Sequence, residues 1–165
     1  MGWHFIREDR RLRYDDNMLV APGYTYSVPG PVAMCTWGLH ASERAIDALS
    51  YAPGPIVCRV RLGRGAVTDG DKSVSTSREV LWMADASTVL HEFACRVAEQ
   101  VLLDAGVTDE RAWRPIKAKR RWLKGEITDQ QLDAARDAAR DARAAQGRRF
   151  AAMTGLLFAR EDQSS

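Results

Sequence analysis

The sequence has no apolar run approaching the ~20 residues that a membrane-spanning helix needs. Its first residues carry Arg7, Glu8 and Asp9 where a secretory leader would need an apolar core. Both absences predict a cytoplasmic protein that makes no membrane contact. Cysteine is scarce: Cys35, Cys58 and Cys95 are odd in number, far apart, and each set in an apolar-patterned segment. Such a set forms no disulfide framework and, with no CxxC or comparable cluster, no zinc-type site, so three buried thiols are expected. A strong charge of one sign is also missing. A net charge of +2 excludes a protein basic over its whole surface but leaves room for a local patch. With 45% hydrophobic and 28% charged residues, global disorder is excluded too.

What is present is organised around residues 38–62. Ser42 is placed to cap a short helix with Ala45, Ile46 and Leu49 on one face, and Pro53-Gly54-Pro55 ends it. From Ile56 the period changes to two: Ile56, Cys58, Val60 and Leu62 point one way, Arg59 and Arg61 the other. Before this unit, residues 3–7 form a first strand. Tyr24, Tyr26 and Val28 alternate with polar residues, and a Pro29-Gly30-Pro31 turn returns the chain as a partner strand over 32–37. After it come turn chemistry at Gly63-Arg64-Gly65 and Asp69-Gly70-Asp71 around a short strand at 66–68, a polar loop at 73–77, and a strand at 78–83 with apolar residues on both faces, as a central strand would have.

Beyond Ala84 the pattern is helical. Asp85 caps a long helix with Val89, Leu90, Phe93, Val97, Val101 and Leu102 as a stripe suited to lying across the sheet, and Gly106 ends it. Thr108, followed by acids, opens a second helix that stops at Gly125, and Thr128 with Gln131 has capping-box spacing for a third. In that third helix Asp-Ala-Ala-Arg repeats from Asp133, Gly147 marks a break, and Phe150, Met153, Leu156, Leu157 and Phe158 supply an apolar face. The expected fold is α+β: a small mixed or antiparallel sheet with a short inserted helix over residues 1–106, a helical extension over 107–160, and a polar tail at 161–165.

Trp3-His4-Phe5, Gly38-Leu39-His40-Ala41-Ser42, the stretch from Ala48 through Tyr51-Ala52-Pro53-Gly54, Asp71-Lys72 and Leu81-Trp82-Met83-Ala84-Asp85-Ala86 recur together. This combination resembles an uncharacterised family of bacterial, prophage and phage proteins that often carry alanine-rich C-terminal helices. The resemblance implies a mobile-element setting, with the host cell cytoplasm as the compartment, and implies no reaction.

Residues 111–124 hold the densest non-core signal. Arg111, Arg114, Lys117, Lys119, Arg120, Arg121 and Lys124 occur there with no acid among them. On a helix, Arg114, Lys117, Arg121 and Lys124 share a stripe beside Trp113, Ile116 and Leu123, while Trp122 falls off the apolar side as a candidate anchor. This points first to a non-enzymatic interaction protein that binds a host protein or nucleoprotein complex, for instance an inhibitor of host defence in the manner of an anti-CRISPR. Direct binding of nucleic acid is a second use of the same patch. A third reading is an ADP-ribosyltransferase-like enzyme using a cleft near His40, with Ser42, Tyr51 and Glu79 as its other polar members. No catalytic set, metal or cofactor is expected on the first reading. Asp69, Asp71 and Lys72 read as a β-turn before they read as a cation or phosphate site, and His91 with Cys95 at i,i+4 lacks a third metal ligand.

Overall fold

The computed structural model of the chain describes residues 1–12 and 18–161, and the backbone alone of residues 142, 147 and 150–161. Asp15-Asp16-Asn17, whose polar composition reads as a loop, the apolar face expected from Phe150 to Phe158 and the last four residues of the tail lie outside what is described. The fold is α+β, with two antiparallel sheets, a short inserted helix and three C-terminal helices. The chain divides into two compact units, Met1–Leu90 and His91–Ser165.

The first unit contains β1 (Gly2–Ile6), β2 (Thr25–Ser27), β3 (Leu39–Ala41), α1 (Ala45–Leu49), β4 (Ile56–Leu62), β5 (Val67–Asp69), β6 (Lys72–Ser75) and β7 (Ser77–Asp85). Four strands form one sheet in the order β1-β4-β7-β2, and three form another in the order β3-β6-β5. An antiparallel bridge between Trp3 and Ser42 joins β1 to the end of β3, with Trp3 N donating to Ser42 O at 2.7 Å and Ser42 N to Trp3 O at 2.9 Å. Ser42 is therefore still extended and does not cap α1. The N-cap is Arg44, which makes no side-chain cap bond, and the helix buries Ala48 while Ile46 stays exposed.

The period-two reading of β4 holds, since Ile56, Cys58 and Val60 are buried and Arg61 is exposed. They pack with Ile6, Val20, Tyr26, Leu39, Ala41 and Val80 as the core of this unit. The buried Tyr26 hydroxyl donates to Leu19 O and accepts from Ala21 N, so its polar end is satisfied inside that core. β7 does lie inside its sheet, but its two apolar faces have a different origin from double-sided burial. The register steps from Arg59↔Trp82 to Val60↔Val80, so Leu81 is bulged and the alternation reverses there. Val80 and Met83 thereby both reach the core, while Trp82 is half exposed.

Two stretches differ from the sequence reading. Residues 32–37 do not pair with β2, whose partner is β7. Instead Ala33 and Trp37 exchange both backbone hydrogen bonds at 2.8 Å around Cys35, which sits at φ 63. The chain closes on itself there and leaves Cys35 exposed, whereas Cys58 and Cys95 are buried as expected. The polar 73–77 stretch is largely strand: β6 pairs with β3 and β5, buries Val74 and Ser75, and pairs the hydroxyls of Ser73 and Thr68 at 2.7 Å. Asp69-Gly70-Asp71-Lys72 makes the expected hairpin turn, with Gly70 at φ 58.

Three helices follow: α2 (Ser87–Asp104), α3 (Glu110–Leu123) and α4 (Asp129–Glu161). Asp85 accepts from the amide and hydroxyl of Ser87 ahead of α2, and Gly106 and Gly125 end α2 and α3 at positive φ. Asp109, one residue after the expected Thr108, caps α3 through the amide of Arg111. The capping box forms in full, with Gln131 N donating to Thr128 Oγ1 at 3.3 Å and Thr128 N to Gln131 Oε1 at 2.9 Å. α4 continues through Gly147, because one glycine costs a helix only about 1 kcal/mol relative to alanine. On α2 the expected buried stripe is reversed: Val89, Phe93, Val97 and Val101 are exposed and Cys95 is buried.

Candidate functional site

The Met1–Leu90 unit contains a cavity of about 820 Å³ lined by residues of β1, the 27–29 and 35–42 stretches, Tyr51, Lys72 and Arg78. Most of the lining is apolar, including Phe5, Leu12, Val28 and Leu39, and Trp3, Trp37 and Tyr51 contribute aromatic rings. Four cations, Arg7, Arg11, Lys72 and Arg78, line it, and among the described lining residues there is no acid. Arg7 is paired with Asp9 at 3.6 Å.

Arg78 is the unusual member. It leaves β7 opposite Tyr26 on β2 and Leu62 on β4, in phase with Val80, and so is carried to the core face at only 2% exposure. Its Nη1 donates to the carbonyl of His40 at 2.7 Å, tying β7 to β3, while its Nε is buried with no hydrogen-bond partner. Burial pushes the guanidinium down to about 10, opposed by the Cys58 thiol and the Tyr26 phenol rather than by any carboxylate. Burial raises Cys58 in turn to about 11, so it stays a neutral thiol beside Arg78.

Two imidazoles face the same region. His4 is lowered well below the ordinary histidine value by burial, then by Arg78 and His40. His40 is lowered chiefly by burial, with Arg78 and Lys72 adding and a backbone hydrogen bond at Gly38 opposing. The His40 ring is fixed by accepting the Cys35 amide on Nε2 at 3.1 Å. Gly38 makes this placement possible: it sits at φ +126, and a Cβ there would lie 2.4 Å from Val74 Cγ2. Lys72 lies 4.2 Å over the Tyr51 ring and is raised mainly by a hydrogen bond with Cys35, while Tyr51 donates to the Asp71 carboxylate at 3.0 Å.

Of the cleft residues read from sequence, His40, Ser42 and Tyr51 meet at this cavity. Glu79 does not line it. It alternates away from Arg78 and pairs with Arg61 at 2.7 Å. His4 and Arg78 went unrecognised as polar site members, although the alternation of Arg78 with Val80 was a readable sign of an inward cation.

The basic helix proves largely paired within its own unit. Arg111 bonds Asp109, Lys117 bonds Glu110 at 2.9 Å, Arg120 grips Glu99 with two bonds, and Arg121 lies 3.4 Å from Glu126. Trp122 is an internal strut: its Nε1 donates to Asp129, Lys119 lies 3.6 Å from its ring centre, and His91 meets it edge-on at 5.5 Å. Arg114 and Lys124 remain exposed, with no ion pair among the described residues. His91 and Cys95 gain no third ligand, and no cluster able to hold a metal occurs among the described residues. No described helix is long and apolar enough to cross a membrane.

Neither a curated protein nor a solved structure matches the chain. A family model does match residues 4–92, which is more than half of the sequence and spans every residue of the cavity from His4 onward. The chain thus belongs to the family described as a domain of unknown function, DUF7666.

Proposed function

We propose that the Met1–Leu90 unit is a binding module for a small anionic ligand held by Arg78. The observation that carries this reading is a cavity-lining cation at 2% exposure that has, among the described residues, no acid beside it and no partner for its buried Nε. Burying an uncompensated charge costs several kcal/mol, and the peptide carbonyl of His40 offsets only part of that cost. An anion meeting the free edge of the guanidinium would complete the pairing, and Lys72 would add a second positive charge near the mouth. Because Arg78 also holds His40, occupancy would be felt by both sheets of the unit.

The reading is one of binding rather than of catalysis. Glu79, the acid that an ADP-ribosyltransferase-like mechanism would use, is engaged by Arg61 on the other side of β7. The test is a thermal melt of the full chain with pyrophosphate, repeated on Arg78→Met. The wild type should be stabilised by the anion and the variant should not, while the unliganded variant should melt at the same temperature or higher. A variant that melts much lower without ligand, combined with no anion effect on the wild type, would make Arg78 a purely structural bridge.

A second reading has its own support in the His91–Ser165 unit. The exposed Phe93, Val97 and Val101 on α2 suit a protein partner, for which a host protein or nucleoprotein complex in a phage or mobile-element setting stays the proposed candidate. Capture of a partner from host lysate by the wild type, lost in Phe93→Glu with an unchanged melt, would support it. Retention by that variant would count against the surface.

A further inference from the structure

Resting on the anion-site reading above, we infer that the ligand is a nucleotide: a phosphate ester carrying a flat ring. Charge favours a phosphate ester over a monocarboxylate. Arg78 and Lys72 both line the cavity together with His40, whose carbonyl Arg78 holds at 2.7 Å, so two positive groups face the same space. No acid among the described lining residues offsets them. A monoanion would leave one of the two unanswered, whereas a phosphate monoester is close to a dianion at neutral pH and presents several acceptor oxygens. The guanidinium has Nη1 committed to the His40 carbonyl and a buried Nε without a hydrogen-bond partner, so its donor set is incompletely satisfied at the cavity that Arg78 lines, and an oxyanion bound there would supply the missing negative charge.

Size and lining exclude inorganic phosphate as the whole ligand. A cavity of about 820 Å³ falls within the roughly 300–1,000 Å³ typical of cofactor and small-molecule sites. Its lining is predominantly apolar, so a purely ionic ligand would leave most of that surface unused. Trp37 and Tyr51 supply the flat surfaces on which a base can stack, an interaction of about 1–3 kcal/mol per base in single-stranded nucleic-acid sites. The Trp37 indole is held by donation to Pro29 O at 2.7 Å. Aromatic rings, cations and a mostly apolar lining together match a nucleoside phosphate better than a sugar phosphate or a di- or tricarboxylic acid.

Calorimetric titration of the full chain with AMP, ADP, ribose 5-phosphate, adenosine, pyrophosphate and citrate tests this. AMP or ADP should bind at least ten-fold tighter than ribose 5-phosphate or citrate, and adenosine should give no detectable heat. Arg78→Gln should weaken AMP and ADP at least ten-fold. Trp37→Ala should weaken them while leaving pyrophosphate unchanged. Ribose 5-phosphate or citrate binding as tightly as AMP, with dependence on Arg78, would overturn the nucleotide assignment and leave the anion site standing. If no anion of the panel binds in an Arg78-dependent way, both fall. Arg78→Lys guards against a folding artefact, because it keeps the charge: nucleotide binding should be weakened less than in Arg78→Gln, and equal weakening at a normal melting temperature would show that charge is not what holds the phosphate.

Discussion

In the Met1–Leu90 unit, Arg78 is buried at 2% exposure with no carboxylate beside it, whereas in the His91–Ser165 unit Arg111, Lys117, Arg120 and Arg121 each face an acid at or near the surface. The helical unit holds the conspicuous charge of the sequence and has largely neutralised it. Among the described residues of the sheet unit, Arg78 is the charged side chain carried into the core, and no carboxylate pairs with it. A run of basic residues is cheap to keep in water, since exposed pairs contribute about 0–1 kcal/mol and exposed charges are already solvated. A buried guanidinium is expensive. The costly arrangement therefore identifies the candidate site better than the abundant one.

Space differs between the units in the same sense, and that gives the largest expected effect. Gly38→Ala should destabilise the sheet unit by about 3 kcal/mol, because the residue is at φ +126 and the added methyl meets Val74 and Val32. Gly125→Ala also places alanine at positive φ, but in open space, and should cost only about 1 kcal/mol. Denaturant melts of the two variants give the ratio. Equal losses would show that the wall behind His40 yields as readily as a helix end.

Acid should separate the units next. His4 and His40 titrate lower in the folded chain than the ~6.5 of an unfolded histidine. Below that value the unfolded chain binds more protons, so stability rises with pH. It is complete above ~6.5 and is lost as pH falls towards the folded-state values. His91, lowered by burial and then by Lys119 and Arg136, has the same sign in the helical unit. Melting temperature should thus fall between pH 7.5 and 5.5, and His4→Gln should flatten that fall more than His91→Gln, since His4 has the deeper depression. The reverse order would place the acid-sensitive step among the helices.

The elements that follow local rules were legible in the sequence. Alternation in β4, the glycine stops after α2 and α3, and the Thr128–Gln131 box depend on neighbouring residues and form as read. What depended on distant partners was not legible. Residues 32–37 have strand composition, but β2 pairs with the distant β7, and Ala33 and Trp37 exchange their backbone hydrogen bonds with each other instead. Ser42 has capping chemistry, but Trp3 claims its backbone. β7 is central as read, but its two apolar faces come from the bulge at Leu81, which shifts the phase after Val80. For the site, Gly38 and His40 were visible as a motif, and the phase of Arg78 with Val80 was readable, while its meeting with His40 depends on the register with Tyr26 and Leu62, residues that lie far away in sequence.

A smaller effect is expected at the Glu99–Arg120 ion pair of the helical unit. Glu99→Gln removes the carboxylate that grips Arg120 through two nitrogens, yet both side chains are about a third exposed, at 28% and 37%. The loss should stay below about 1 kcal/mol and shrink further in high salt. Arg120 lowers Glu99 in the folded chain, so the pair contributes above the unfolded carboxylate value and is lost as pH falls through the folded one. A salt-independent loss of several kcal/mol would mean that this pair, like Arg78, behaves as a buried charge.

The smallest expected change in stability is at the two basic residues of α3 without an ion pair. Reversing Arg114 and Lys124 to Glu should alter stability by no more than about 0.5 kcal/mol, because both are exposed and neither is committed to an acid among the described residues. Whatever the reversal does to binding is then free of a folding effect, which makes it a clean probe of the electrostatic surface. If the helical unit meets its partner through the α2 stripe, the reversal should change the salt dependence of association modestly, and Phe93→Glu should abolish association. If the basic stripe is the contact, the reversal alone should remove binding, and the wild-type affinity should fall steeply with salt. Surface binding measurements on these two variants at low and physiological salt decide between the faces. Loss only on the charge reversal would return the functional centre of this unit to the residues of α3 that the sequence displays most openly.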